Sequence, residues 1–210
     1  MSRGIPETVA LAILAKAPLP GFSKTRLASV LGADGAAALQ ARLIERAVET
    51  ARAARIGPVT LWAAPDQRHP VFQAIAAVPG VAVAVQPDGD LGQRMHAVLA
   101  AAAGPAIVIG TDCPVLRPDH LRAAADALVG GIDVVVIPVD DGGYALIGAR
   151  AADERLFAGI PWSTADVMAH TRRRLDQLSL SWRELPQLWD VDVPDDLERM
   201  KREGLAGLIQ

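Results

Sequence analysis

The chain of 210 residues has one cysteine, Cys113, and one tyrosine, Tyr144, and aromatic side chains make up only 4% of it. A single thiol excludes an internal disulfide framework and fits a reducing compartment. Long apolar runs are also missing: charges or Pro/Gly interrupt each one well short of the ~20 residues that a membrane span needs. The opening stretch Met1–Glu7 lacks the layout of a secretory leader, because the apolar run after it ends at Lys16. Together these absences make the cytoplasm the expected compartment, with no membrane partner. Charge of one sign is not in large excess either. Lys and Arg total 21 against 24 Asp and Glu, a net charge of −3, which argues against a protein that coats nucleic acid. His69, His96, His120 and His170 show no zinc spacing with one another or with Cys113. No G-x-S-x-G elbow points to a serine hydrolase, and Cys113 reads as a small packed side chain rather than a nucleophile.

What the chain does have is 51% apolar and 21% charged residues, the balance of one sizeable globular α/β domain spanning residues 1–210. Short runs rich in β-branched residues, Val9–Leu14, Val59–Ala63, Val81–Val85, Ala106–Ile109 and Ile132–Val136, read as strands covered on both faces. Between them lie helical patterns. The clearest is Asp34–Ala54, with Leu39, Leu43, Ala47 and Ala51 four residues apart and Asp34 as the expected cap. Others are expected at Pro70–Ala77, Leu91–Ala103, Pro118–Val129, Thr164–Leu178 and Pro194–Glu203. Pro118 and Pro194 suit first-turn positions, where a missing N–H costs nothing. This alternation predicts a mostly parallel central sheet with helices on both faces, a three-layer α/β sandwich.

In such sheets ligands bind beyond the C-terminal ends of the strands, so the segments that follow the strands carry the functional reading. After the first strand, Lys16, Lys24 and Arg26 share a loop with Pro18, Pro20 and Gly21. The prolines limit the loop's freedom, so the cations are candidates held ready for a di- or triphosphate, with a solvated basic loop as the alternative. The loop is not a P-loop, since Ser23 and Pro18 stand where that motif requires glycine. After the fourth strand comes Gly110-Thr111-Asp112-Cys113-Pro114. A carboxylate at the tip of a buried strand needs a partner, and a divalent cation bridging Asp112 to phosphate oxygens is one. An Asx-turn is the alternative, whereas Pro118 starts the next helix too far on for Asp112 to cap it. After the fifth strand, Asp140-Asp141-Gly142-Gly143-Tyr144 makes a tight turn that can be both a hairpin and a place where backbone approaches a ligand, before a further apolar strand opened by Tyr144.

Near the end of the chain, Asp190 and Asp192 alternate about Val191 and share one face, so one of them is a candidate second metal ligand facing Asp112. Asp195 and Asp196 fall in a first helical turn, where negative charge is favourable. Asp90 is an expected N-cap and Arg94 a candidate ligand contact. Ser163 is an expected N-cap, and Trp162 is a candidate wall of the cleft or a packed side chain.

Taken together, the motifs K-x-P-x-P-G-x-x-K-T-R-L (from Lys16), G-T-D-C-P (from Gly110), D-G-G-Y-x-L-I-G (from Asp141) and W-S-T (from Trp162) resemble the DUF2064 glycosyltransferase-like family. Some members of that family are labelled arsenosugar-biosynthesis glycosyltransferases. The resemblance runs from about Val9 to Gly204 and implies the GT-A-like, Rossmann-like fold of the nucleotide-diphospho-sugar transferase superfamily. It also implies Mg²⁺ or Mn²⁺ on Asp112 and Asp192, and nucleotide phosphates on Lys16, Lys24 and Arg26. Asp141, Gly142, Gly143 and Tyr144 would then line the sugar or acceptor side. The chain departs from its wider superfamily in two places, having neither the Gly-rich opening loop of nucleotidyltransferases nor a D-x-D triplet.

The function so implied is metal-assisted glycosyl transfer from a nucleotide-sugar to a small-molecule acceptor, with Lys24 and the metal on Asp112 stabilising the leaving group and Asp141 as base. Nucleotidyl transfer that releases pyrophosphate is the alternative, and a nucleotide-binding module without catalysis is the third reading. The oligomeric state is left open.

Overall fold

Short runs of small and β-branched apolar residues become the centre of this molecule because helices cover them on both faces. The structure is a computed structural model and describes residues 8–209. The Met1–Glu7 stretch, expected to lack a leader layout, lies outside the described residues. Strands β1 (Ala10–Lys16), β2 (Val59–Ala64), β3 (Val81–Val85), β4 (Ala106–Ile109), β5 (Val134–Pro138), β6 (Tyr144–Ala149) and β7 (Trp182–Glu184) form one sheet in the order β3-β2-β1-β4-β6-β5-β7. All pair in parallel sense except β6, which runs antiparallel to both β4 and β5.

Helices α1 (Ala28–Ala54), α2 (Pro70–Ala76) and α4 (Pro118–Val129) cover one face of the sheet, and α3 (Leu91–Ala100) and α5 (Val167–Gln177) the other. On the first face Ile44, Val48, Phe72, Leu121 and Leu128 pack with Leu11, Ile13, Leu61 and Ile107. On the second, Met95, Leu99, Met168 and Leu175 pack with Val108, Val136 and Ile147. A third, small core joins Leu27, Leu39 and Leu43 to Trp189, Val191, and Leu197 and Met200 of α6 (Pro194–Arg202). Thr25–Ala54 is the one helical stretch among the described residues whose length and hydropathy match a membrane span. Its residues Ile44, Val48 and Ala51 lie in the first core.

Several boundaries differ from those expected. Helix α1 begins at Ala28 rather than Asp34, with Gly32 in a left-handed conformation (φ 72°) that breaks it into a short and a long part. Strand β5 begins at Val134 because Ile132 N–H still donates to Ala127 O at the end of α4 (3.0 Å). Ser163 does not cap α5. Its φ is +65°, and the helix begins at Val167, behind a turn held by Thr164 Oγ1 on Pro161 O (2.8 Å). Asp90 caps α3 as expected and forms a reciprocal box with Gln93.

Candidate active site

Because β1 to β5 run parallel, the segments after them gather at one edge of the sheet. The loop after β1 is held by Ser23, the residue that stands where a P-loop has glycine. Its buried Oγ donates to Ala17 O (2.8 Å) and accepts from Leu19 N–H (3.0 Å). Gly21 adopts φ +78° at the exposed turn beside Pro20. Lys24 follows with φ +48°, a left-handed conformation that non-glycine side chains adopt at a cost. That conformation turns its side chain inward until only 4% is exposed. Lys24 Nζ then donates to Asp112 Oδ1 (2.7 Å) and to Val191 O (2.5 Å).

Asp112 is therefore an anchored carboxylate. Thr111 Oγ1, buried beside it, donates to Asp112 Oδ1 (3.3 Å) and accepts from Gln40 Nε2 of α1 (3.0 Å). The backbone carbonyl of Asp112 accepts from Val191 N–H (2.8 Å). The C-terminal segment is thereby fastened to the tip of β4, and the bridge between Val139 and Leu188 fastens it to the end of β5. Val191 between them is fully buried, whereas Asp190 and Asp192 are both partly exposed.

The two acids have different surroundings. Asp192 pairs with Arg26 across the surface (side chains 41% and 69% exposed), and its N–H donates to Asp196 Oδ2 (2.8 Å). Asp190 is half-buried, and its carboxyl is pushed up to about 6. Burial is the main cause, followed by the negative charges of Asp141 and Asp112, with Lys24 opposing them. Asp190 is thus the member of the pair that feels Asp112.

The turn after β5 is the hairpin that its sequence allows, and its backbone packs closely against the segment before α5. Gly143 N–H donates to Asp141 Oδ1 (2.8 Å), and Gly142 has φ +91°. A Cβ on Gly142 would lie 2.1 Å from Ala165 O, so this glycine lets the turn touch the segment leading into α5. Asp140 serves structure: it receives Arg199 and Gln187 (both 2.6 Å), which hold its carboxyl below the usual carboxylate range.

The remaining expected residues divide into two groups. Lys16 is exposed at the end of β1. Arg94 donates to Gly89 O (2.9 Å) and to Gln86 Oε1 (3.4 Å), while Gln86 binds Ala15 O and Trp62 O at the ends of β1 and β2. These two cations belong to the same edge as Lys24. Tyr144 and Trp162 are engaged in packing. Their rings meet edge to face at 6.5 Å, and the indole fits where Gly92 has no side chain. Tyr144 Oη has Met95 Sδ at 3.8 Å as partner, and burial pushes the phenol above its ordinary range. Cys113 behaves as a packed side chain, its thiol pushed up to about 12 by burial.

Sequence reasoning missed Gln40 and Thr111. The available signal was an amide on the otherwise apolar face of α1, between Leu39 and Leu43. A cavity of about 480 Å³ lies at the opposite end of the sheet, lined by His96, Asp133, Arg150 and Arg155 among others. Several of its charges are engaged locally: Arg155 with Asp153 (2.7 Å), Asp133 with Ser181 (2.6 Å) and Arg150 with Gly131 O (3.4 Å).

Strand order, the single antiparallel strand and a charged edge at the strand C-termini define an α/β protein of the GT-A-like class. Solved structures agree. A protein from Desulfovibrio desulfuricans G20, provisionally named a nucleotide-diphospho-sugar transferase, superposes with a TM-score of 0.80 at 26% identity over 96% of each chain. CMP:2-keto-3-deoxy-manno-octonic acid synthetase, solved with CTP, gives a TM-score of 0.61 at 15% identity, over 96% of this chain and 100% of that one. Rv0371c from Mycobacterium tuberculosis H37Rv, solved with manganese, gives 0.52 at 22% identity, over 92% and 98%. No curated protein matches the chain. The family model described as "Uncharacterized protein conserved in bacteria (DUF2064)" matches residues 47–164. The chain belongs to that family.

Proposed function

We propose that residues 1–210 form one transferase domain that moves a sugar from a nucleotide-diphosphate donor to a small-molecule acceptor, with a divalent metal assisting. The observation that carries this reading is the meeting of Lys24 and Arg26 with Asp112, Asp190 and Asp192, drawn from the N-terminal loop, the tip of β4 and the C-terminal segment.

The donor set suits Mg²⁺ or Mn²⁺. Asp190 sits half-buried among carboxylates, and hard oxygen ligands of this kind are what these ions take. Among the described residues no group of three or more His, Cys, Asp or Glu is arranged to hold a metal alone, so substrate oxygens would complete the set. Asp112 and Asp190 are the residues that would hold the ion. This assignment prefers Asp190 to Asp192, the partner of Asp112 that family resemblance implies, because Asp190 is the half-buried acid that feels the charges of Asp112 and Asp141. When bound, the ion would offset negative charge on the departing nucleoside diphosphate.

The chain's own residues do the rest. Arg26 and Asp192 form an exposed pair, and such pairs are worth ~0–1 kcal/mol, so Arg26 can turn to a phosphate at little cost. Lys16 and Arg94 extend the cationic edge. In the transfer, the acceptor oxygen bonds to the anomeric carbon as the bond from that carbon to the diphosphate oxygen breaks. The acceptor proton goes to a carboxylate, and Asp141 is the candidate. Its Oδ1 is fixed by Gly143 N–H, and among the described residues no hydrogen bond reaches Oδ2.

The test is a melting-point screen of nucleoside diphosphates, triphosphates and nucleotide-sugars with and without Mn²⁺, followed by product analysis of the binders. Binding at a hundred times Kd stabilises by ~2.7 kcal/mol, or about 5–10 °C for a chain of this size. Nucleoside diphosphate released from a nucleotide-sugar supports the proposal. Pyrophosphate released from a triphosphate, with every nucleotide-sugar inert, replaces it with nucleotidyl transfer. Tight binding without turnover reduces it to a binding module.

A further inference from the structure

Lys24 is the most deeply placed cation of the site. The loop before it is tied by Ser23, and Leu27 just beyond it is fully buried, so its position is fixed from both sides. Its ammonium spends two of its three donors on Asp112 Oδ1 and Val191 O. The backbone adopts a left-handed conformation to bring it there. This differs from Arg26 and Asp192, whose pair is exposed and easily exchanged. Asp112 keeps half its side chain exposed (52%), so it remains reachable from solvent while the lysine holds it from below.

We infer that Lys24 is an internal counter-ion that occupies Asp112 in the nucleotide-free protein and keeps its affinity for divalent metal low. A bound diphosphate would offer the Lys24 ammonium another anion and so free Asp112 to hold the metal. This inference rests on the metal-assisted reading above and adds an order of binding to it. The physical reason is charge. An ammonium 2.7 Å from a carboxylate oxygen repels a second cation at that carboxylate, and at a half-exposed site the repulsion corresponds to roughly a tenfold or greater loss of metal affinity.

The experiment titrates Mn²⁺ into the nucleotide-free full chain and reads the free-ion electron paramagnetic resonance signal. Lys24→Met should bind Mn²⁺ at least about tenfold more tightly than wild type, whereas Lys24→Arg, which keeps the charge, should stay weak. Adding Asp112→Asn to Lys24→Met should abolish the gain. Equal or weaker binding by Lys24→Met, or a gain that survives Asp112→Asn, overturns the inference. If Lys24→Met does not fold, the wild type still decides. The Lys24 ammonium resonance in ¹⁵N-lysine-labelled protein should change when Mg²⁺ and pyrophosphate bind together. An unchanged resonance with that pair bound overturns the proposal. Absence of Mn²⁺ binding in every variant, with and without pyrophosphate, defeats the metal-assisted reading as well. Metal binding by wild type with pyrophosphate but no gain in Lys24→Met defeats only this one.

Discussion

Gln40 and Thr111 give a test that needs no substrate. Both side chains are buried, 5% and 6% exposed, and Gln40 Nε2 donates to Thr111 Oγ1 at 3.0 Å. Thr111→Val removes the acceptor and leaves an amide N–H without a partner inside the protein. An orphaned buried donor costs ~1–3 kcal/mol. Taking ~2 kcal/mol, the melting midpoint should fall by about 4–8 °C in a chain of this length. Gln40→Leu should cost less, because the Thr111 hydroxyl keeps Asp112 Oδ1 as its own acceptor (3.3 Å). With both changes the pocket becomes apolar at nearly constant shape, and paired apolar replacement is close to neutral. The double variant should therefore be more stable than Thr111→Val alone. The assay is urea unfolding of the four proteins, with unchanged slope as the check that the unfolded state is unaltered. If the two costs simply add, the bond between Gln40 and Thr111 contributes nothing, and the idea that α1 positions Asp112 through Thr111 fails.

Three further outcomes follow from the same geometry. Asp112→Ala should slow turnover of an identified donor about a hundredfold or more, since removing one pre-placed electrostatic group costs ~3 kcal/mol of barrier; steady-state kinetics would show it, and near-wild-type rates would remove Asp112 from the reaction. Gly142→Ala should destabilise by ~2 kcal/mol or more in thermal unfolding, because it combines a Cβ 2.1 Å from Ala165 O with strain at φ +91°. The Asp140 carboxyl is held low by Arg199 and then Gln187. The stability it contributes is present above the ordinary Asp value of ~3.9 and is lost as pH falls through the lower folded value. Asp140→Asn should therefore flatten the acid limb of a stability–pH profile while lowering stability at neutral pH, and an unchanged acid limb would show that these partners do not stabilise the folded state.

Much of the layout was legible in the chain because strand–helix alternation is a local signal. Val81–Val85, Ala106–Ile109 and Pro118–Val129 were expected with the ends the structure gives them. In those cases turn residues or a proline mark the boundary. What local patterns cannot carry is pairing over distance. The three-residue edge strand β7 offers too few residues for any period to register, and nothing in Tyr144–Ala149 announces that β6 inserts antiparallel between β4 and β5. The candidate site shows the same division. Lys24, Arg26, Asp112 and Asp141 stood out because charges beside prolines, glycines or strand tips are locally unusual. The direct pairing of Lys24 with Asp112, the separation of Asp190 from Asp192, and the support from Gln40 all depend on contacts between distant segments. Ser163 was misjudged because a good capping residue type does not fix its own φ.

The lysine that holds Asp112 also reaches Val191, 167 residues further along the chain. A ribosome adding ~5–20 residues per second takes about 10–30 s to cover that distance. Throughout that interval the cationic loop has been made, but the carbonyl that receives it has not. A nascent product that stops before Val191 already carries Lys16, Lys24, Arg26 and Asp112, yet lacks the carbonyl that takes the second donor of the Lys24 ammonium.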